Sequence, residues 1–156
     1  MKGTYPDANF TMRVSYGNVK SYQPKDAVKY DFVCTLSGVA AKYVPGDYEF
    51  DLPSKFLELY KNKDFGQYED LKYKDIIVTF ITTNDITGGN SGSPVMNGNG
   101  ELIGIAFDGN WEAMSGDIAF EPELQKCICV DIRFVLWTID KYAGAGQLVK
   151  EMKLVR

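Results

Sequence analysis

The sequence predicts a mainly β fold: one domain over residues 1–156, with a short surface helix and a C-terminal helix. Aromatics make up 13% of the 156 residues, with 10 Tyr and 9 Phe, side chains that suit pleated, half-buried strands. Short runs of strand length, alternating or continuously apolar, recur between turns containing Gly, Asn or Pro. Helical spacing occurs only around 54–60 and after Asp131. With 45% hydrophobic and 24% charged residues, the chain has an ordinary globular composition and the length for one sizeable core.

The elements follow in order. Phe10, Met12, Val14 and Tyr16 share one face of an alternating run, a half-buried strand. Gly17-Asn18 reads as a turn into Val19–Tyr22. Val28–Leu36 reads as a second strand, with Val28, Tyr30, Phe32 and Cys34 on one side. Val44-Pro-Gly-Asp47 breaks the chain. Phe56, Leu57 and Tyr60 then give a short surface helix, with Ser54 as its expected cap. Residues 61–75 are charged and read as a loop. Ile76–Thr82 is apolar and β-branched, a strand leading into the loop at 83–89. Ser93–Met96, the Asn97-Gly98-Asn99-Gly100 turn and Glu101–Phe107 make a hairpin. Ile118–Phe120 and Cys127–Val130 read as further short strands. Ile132, Val135, Leu136, Ile139 and Tyr142 have helical spacing, with Asp131 as cap and Gly144 as stop. Leu148–Val155 forms a last short helix or docked tail.

Composition excludes several functions. The net charge is −4 and no Lys/Arg cluster stands out, which argues against a nucleic-acid partner. No apolar run reaches the ~18–20 residues of a membrane span. The first residues lack the apolar core of a signal peptide, so the protein is cytoplasmic unless Met1 is an artificial or truncated start. The three cysteines, Cys34, Cys127 and Cys129, are expected as buried free thiols. Cys127 and Cys129 share a strand face but are too close in sequence for a relaxed disulfide. Three Cys and no His make no structural zinc site, and no metal or cofactor is expected.

Residues 88–94, Gly-Gly-Asn-Ser-Gly-Ser-Pro, carry the chemistry. Acyl transfer from a serine needs a hydroxyl projected from a sharp turn, N–H groups aimed at the developing oxyanion, and a base. Ser91 supplies the hydroxyl, and the amides of Gly89 and Ser91 the oxyanion hole. Gly92 lets the chain leave tightly, and Pro94 fixes the exit into the next strand. This loop and the hairpin after it resemble the nucleophile region of a chymotrypsin-type serine protease. The chain contains no histidine, so it cannot complete a Ser-His-Asp triad alone. The His and its orienting Asp are expected on a preceding barrel absent from this chain. Other readings stay open on the residues: a hairpin loop without chemistry, a non-catalytic binding module of protease-like fold, or a Ser-Lys hydrolase using a residue such as Lys20 or Lys29.

Several stretches resemble the bacterial dipeptidyl-peptidases of the VII and XI type, closer to the VII type. They are Arg13–Lys20, Pro45–Phe50, Thr83–Val95, Leu102–Asp117 and Val130–Tyr142. The resemblance implies a chymotrypsin-like β-barrel, the second half of a double barrel, with the N-terminal barrel and an inserted helical domain missing. It implies release of dipeptides from the N-termini of oligopeptides, in the periplasm or at the cell surface, and a possible homodimer. It implies that Asp108 binds the substrate's free α-amino group, although a turn residue before Gly109 is its plainer reading. It also implies that Gly109 sets the pocket for the substrate side chain preceding the cleaved bond (P1). An arginine there goes with acidic P1 side chains in the family, so glycine suits hydrophobic ones. Trp111 and Glu112 lie near the cleft in sequence, and an exposed loop explains them about as well; Asp85 and Asp117 read as loop or capping residues, and Asn90 as a residue that orients the loop.

Overall fold

In a computed structural model of the protein, residues 11–116 and 118–155 are described. Among the described residues seven strands form, β1 (Tyr22–Lys25), β2 (Val28–Tyr30), β3 (Val33–Thr35), β4 (Ile77–Thr82), β5 (Pro94–Met96), β6 (Leu102–Gly109) and β7 (Cys127–Asp131). Four α-helices accompany them: α1 (Leu36–Ala40), α2 (Ser54–Lys61), α3 (Ile132–Trp137) and α4 (Gly146–Glu151). The strands β1 and β2 make a two-stranded sheet, and the other five lie in the order β3-β4-β7-β6-β5. The mainly β class holds. A barrel closes only when its end strands pair, and among the described residues β3 and β5 remain the ends of an open sheet.

The sheet is built where the sequence is most β-branched. β4 pairs antiparallel with β7, with Phe80 opposite Cys129 and Thr82 opposite Cys127. β5 and β6 form the expected hairpin, with Val95 opposite Gly104. Its turn is closed by Asn97, whose Oδ1 accepts from the N–H groups of Asn99 (2.9 Å) and Glu101 (3.0 Å). The chain divides into two compact units. The first comprises residues 11–33 and Thr79–Val130, and packs Phe80, Ala106, Cys127 and Cys129. The second comprises Cys34–Val78 and residues 131–155, and packs Leu36, Phe56, Phe65, Tyr68, Ile76 and Trp137. Trp137 is fully buried, meets Phe56 edge-on at 5.7 Å, and donates from Nε1 to the Asp64 carbonyl (2.9 Å).

Several expectations are corrected. Residues 11–16 form no strand, and Tyr16 is 90% exposed. Alternation supplies a face, but a strand also needs a neighbouring edge, and the first bridge in this stretch is Val19 with Thr82. Phe10 lies outside the described residues. Cys34 is exposed, whereas Cys127 and Cys129 are buried with their sulfurs 3.7 Å apart; all three are free thiols. The expected run 28–36 breaks at Asp31-Phe32 into β2 and β3, so the face that was to bury Cys34 is not continuous. Ser54 does not cap α2: Pro53 occupies the cap position, its carbonyl accepting from Leu57 N–H (3.2 Å). Residues 61–75 are more than a loop, because Phe65 and Tyr68 are buried and Gly66–Tyr68 form a 3-10 turn. Ile118–Phe120 is not a strand, and Ile118 is exposed.

The C-terminal helix follows the sequence. Asp131 caps α3 by accepting from Arg133 N–H (2.8 Å), the helix continues as a π turn to Tyr142, and Gly144 stops it at φ +70°. Asp131 has a second task. Arg133 donates to it from Nε (3.0 Å) and Nη2 (2.9 Å) while Nη1 reaches Asp70 (2.8 Å). Burial alone would raise the Asp70 carboxyl; the Arg133 guanidinium and the N–H groups of Tyr73 and Lys72 overcome it and hold it below the ordinary 3.8. A depressed carboxylate contributes stability above its unfolded pKa and loses it as pH falls through the folded value. Arg133→Gln is therefore expected to cost about 1–3 kcal/mol at neutral pH. The difference from the parent should narrow as pH drops below 3.8, measured by denaturant unfolding of the full-length protein across pH.

Candidate active site

The loop that carries the candidate nucleophile Ser91 lies between the end of β4 and the β5–β6 hairpin. Its approach is tied down by the segment before β1. Thr83 N–H donates to the Asn18 carbonyl (2.9 Å), and Asn18 N–H returns a bond to Thr83 Oγ1 (2.9 Å). Ser15 Oγ donates to the Asp85 carbonyl (3.1 Å). Asn90 then closes the loop on itself. Its Oδ1 accepts from Thr87 N–H (3.0 Å) and its own N–H donates to the Thr87 carbonyl (3.2 Å), the orienting task expected of it.

Around Asn90 the amides differ in use. Asn90 N–H is engaged as above, and Gly92 N–H donates to the Ala106 carbonyl (2.8 Å). The N–H groups of Gly89 and Ser91 donate to no described residue. Gly89 has φ +89°, a conformation that L side chains resist, which explains glycine at this position. The loop thus holds two unspent donors on either side of a residue whose own N–H is turned inward, the pair that the sequence assigned to the oxyanion.

Ser91 is exposed, and its Oγ donates to the Phe107 carbonyl on β6 (2.9 Å). The next residue on that strand is Asp108, also exposed, so the hydroxyl and the carboxylate meet the same short stretch of β6. Asp108 Oδ1 accepts from Gly109 N–H (2.7 Å), and among the described residues Oδ2 accepts nothing. Gly109 ends β6 and is half-buried. Lys20, the first lysine weighed as a base, pairs instead with Glu123 (3.1 Å), and among the described residues no lysine bonds Ser91. Among the described residues no group of three or more Cys, Asp or Glu side chains could hold a metal ion.

Beyond β6 lies a polar cluster that the sequence did not reveal. Asn110 is buried: Oδ1 accepts from Lys126 N–H (2.8 Å), and Nδ2 donates to the Leu124 carbonyl (2.8 Å) and to Glu112 (2.8 Å). Glu112 also accepts from the Tyr22 hydroxyl (2.8 Å), so it is an anchor rather than a loop residue, whereas Trp111 is exposed as expected. Lys126 is only 1% exposed, with its ammonium donating to the carbonyls of Pro122 (2.8 Å), Glu123 (2.9 Å) and Gln125 (3.1 Å). Burial pushes its pKa down, partly offset by Glu123. Asp117 lies outside the described residues.

The family model described as Peptidase S46 matches residues 1–154. The chain is 61% identical over 150 residues to a dipeptidyl-peptidase 7 of Phocaeicola vulgatus, covering 96% of this chain and 21% of that protein. It is 52% identical to an Asp/Glu-specific dipeptidyl-peptidase of Flavobacterium psychrophilum, covering 97% of this chain and 21% of that one. Its fold superposes with TM-score 0.89 and 46% identity on crystalline Porphyromonas endodontalis DPP11 in complex with the dipeptide Arg-Glu, over 94% of this chain and 21% of the other. The chain therefore spans about a fifth of the length of the relatives it matches.

Proposed function

The chain belongs to the peptidase S46 family, and on that premise we propose that it is the C-terminal catalytic portion of a serine-type dipeptidyl-peptidase that acts in the bacterial periplasm or at the cell surface. Ser91 is the nucleophile. Its oxygen attacks the carbonyl carbon of the second residue of an oligopeptide, the peptide C–N bond breaks, and the first two residues leave as a dipeptide after water cleaves the acyl-enzyme. The amides of Gly89 and Ser91 receive the carbonyl oxygen as it becomes negative. The observation that carries this reading is that the N–H groups of Gly89 and Ser91 donate to no described residue, while that of Asn90 between them is bonded within the loop.

The base that takes the Ser91 proton, a histidine with its aspartate, belongs to the N-terminal barrel, since this chain has no histidine. The chain alone is inactive on this reading. Asp108 binds the substrate's α-ammonium. Two extended residues span about 7 Å, and the single-residue step along β6 from the Ser91 hydrogen bond to Asp108 suits a site that counts two residues from a charged end. Gly109 leaves the P1 pocket without a side chain or a charge, which suits hydrophobic P1 residues. The full enzyme is proposed to work as a homodimer.

A fluorophosphonate probe applied to the full-length enzyme, followed by peptide mapping, tests the assignment. The expected result is a single adduct on the peptide containing Ser91, formed in step with loss of dipeptide release. Dipeptide release that persists with Ser91 unmodified overturns it, and an unlabelled protein without peptidase activity turns the reading to a non-catalytic binding module.

A further inference from the structure

Gly109 is not a glycine for its backbone. Its φ lies outside the left-handed region, where six other described glycines sit. What excludes a side chain is a neighbour. A Cβ built on Gly109 would stand 2.8 Å from Ala113 Cβ, well inside the ~3.5–4.0 Å at which carbons rest against each other, whereas Ile86 Cγ2, at 3.7 Å, would be an ordinary contact. A methyl group has no rotamer with which to escape. Position 109 can accept a side chain only if the 3-10 turn Trp111–Ser115 moves as a body.

That turn is held at both ends. Ala113 N–H donates to the Asn110 carbonyl (2.9 Å) and Gly116 N–H to the Ala113 carbonyl (2.9 Å). Glu112 is bonded by Tyr22 and Asn110, and Asn110 is bonded in turn to the backbone of Lys126 and Leu124. Burial pushes the Tyr22 phenol up, and Glu112 adds to this against Asn110, so the hydroxyl remains a donor through the neutral range. Satisfied polar networks at low exposure resist displacement because moving them leaves charged and amide groups unpaired.

We infer that Ala113 is a specificity-determining residue for the P1 side chain: held in place by the positioning residues Glu112, Tyr22 and Asn110, its methyl group enforces glycine at position 109 and keeps the pocket open for uncharged apolar side chains. The inference rests on the reading that Gly109 lines the P1 pocket, and it assigns the origin of that pocket's shape to a residue four positions further on. Cavity walls of this kind discriminate strongly, because one methylene in a hydrophobic pocket changes relative rates by roughly 10- to 200-fold.

The test is a coupling cycle on the full-length enzyme, with kcat and KM measured separately for dipeptidyl substrates bearing P1 Ala, Leu and Met. Gly109→Ala is expected to lower kcat/KM for P1 Leu and Met by about tenfold or more. The same change made on an Ala113→Gly background should cost about threefold or less, because the obstructing methyl is gone. Glu112→Ala should shrink the Gly109→Ala penalty in the same direction, and Glu112→Gln, which keeps the acceptor, should restore it. Equal penalties on all backgrounds overturn the inference. Should Gly109→Ala fold poorly, Ala113→Gly alone decides: it should raise the kcat/KM ratio of Met over Ala severalfold, and an unchanged P1 profile overturns the inference. Fluorophosphonate labelling at Ser91 is read on every variant. Normal labelling with an unmoved P1 profile sinks this inference and spares the proposed function, whereas a parent enzyme that never labels sinks the proposed function itself.

Discussion

Ser91→Ala in the full-length peptidase should reduce dipeptide release by about 10⁴- to 10⁶-fold, the loss seen when a nucleophile acting in concert with its base is removed. The loss should fall on kcat. Asp108, Gly109 and the loop backbone remain, so a non-hydrolysable dipeptide ligand should bind the variant about as tightly as the parent. The structure gives a reason to expect so clean a separation. Among the described residues the Ser91 side chain makes one hydrogen bond, to the Phe107 carbonyl, and it is exposed. Nothing in the core rests on it: the loop is held by Asn90 to Thr87 and by Gly92 and Ala106 across to β6 and Ser93. Removing the hydroxyl thus leaves Ala106 N–H still bonded to the Ser93 carbonyl (2.9 Å) and the hairpin in register. Steady-state kinetics with calorimetry of the bound dipeptide measures both halves. Release that survives at even a hundredth of the parent rate rejects Ser91 as nucleophile, and a variant that loses ligand binding along with turnover rejects the separation.

What the sequence could reveal of this molecule was set by distance along the chain. The conformation of the loop at residues 88–94 was legible because it is set locally. Gly89 and Gly92 supply the positive φ values that the turn needs, and Asn90 orients it through a residue three positions away. The Asp131 cap and the Gly144 stop were legible for the same reason. Glu112 was not. Its partner Tyr22 lies 90 residues earlier, and only the folded chain brings the two together, so from sequence it is indistinguishable from a solvated loop carboxylate. Phe65 and Tyr68 sit in a charged stretch whose composition hides two buried rings. Conversely, the alternation of residues 10–16 promised a covered face that the described chain leaves exposed from Met12 to Tyr16. Periodicity states which side chains lie together, and only a neighbouring element decides whether that side is inside. The base proposed for Ser91 falls beyond either method, because the chain contains no histidine to find.

Asp108→Ala should cost about 10²- to 10³-fold in kcat/KM on peptides with a free N-terminus, the range for truncating one partner of a desolvated charge pair, and should leave N-terminally acylated peptides no worse cleaved than by the parent. The prediction must be separated from a local structural effect, because Asp108 Oδ1 also accepts from Gly109 N–H (2.7 Å) and so helps shape the end of β6. Asp108→Asn makes the separation. The amide oxygen can keep the turn bond while the negative charge is lost, so a residue that matters for its turn alone would tolerate Asn, and a residue that holds an ammonium would not. The expected order is parent well above Asn, with Asn close to Ala. Parent-like activity in Asp108→Asn rejects the charge role. A pH profile adds a second axis. An α-amino group loses its proton near pH ~8, so kcat/KM of the parent on free peptides should decline above that point as the ion pair disappears. With the carboxylate gone there is no pair to lose, and the decline should flatten in both variants. A profile unchanged from the parent would place amine recognition on some other residue.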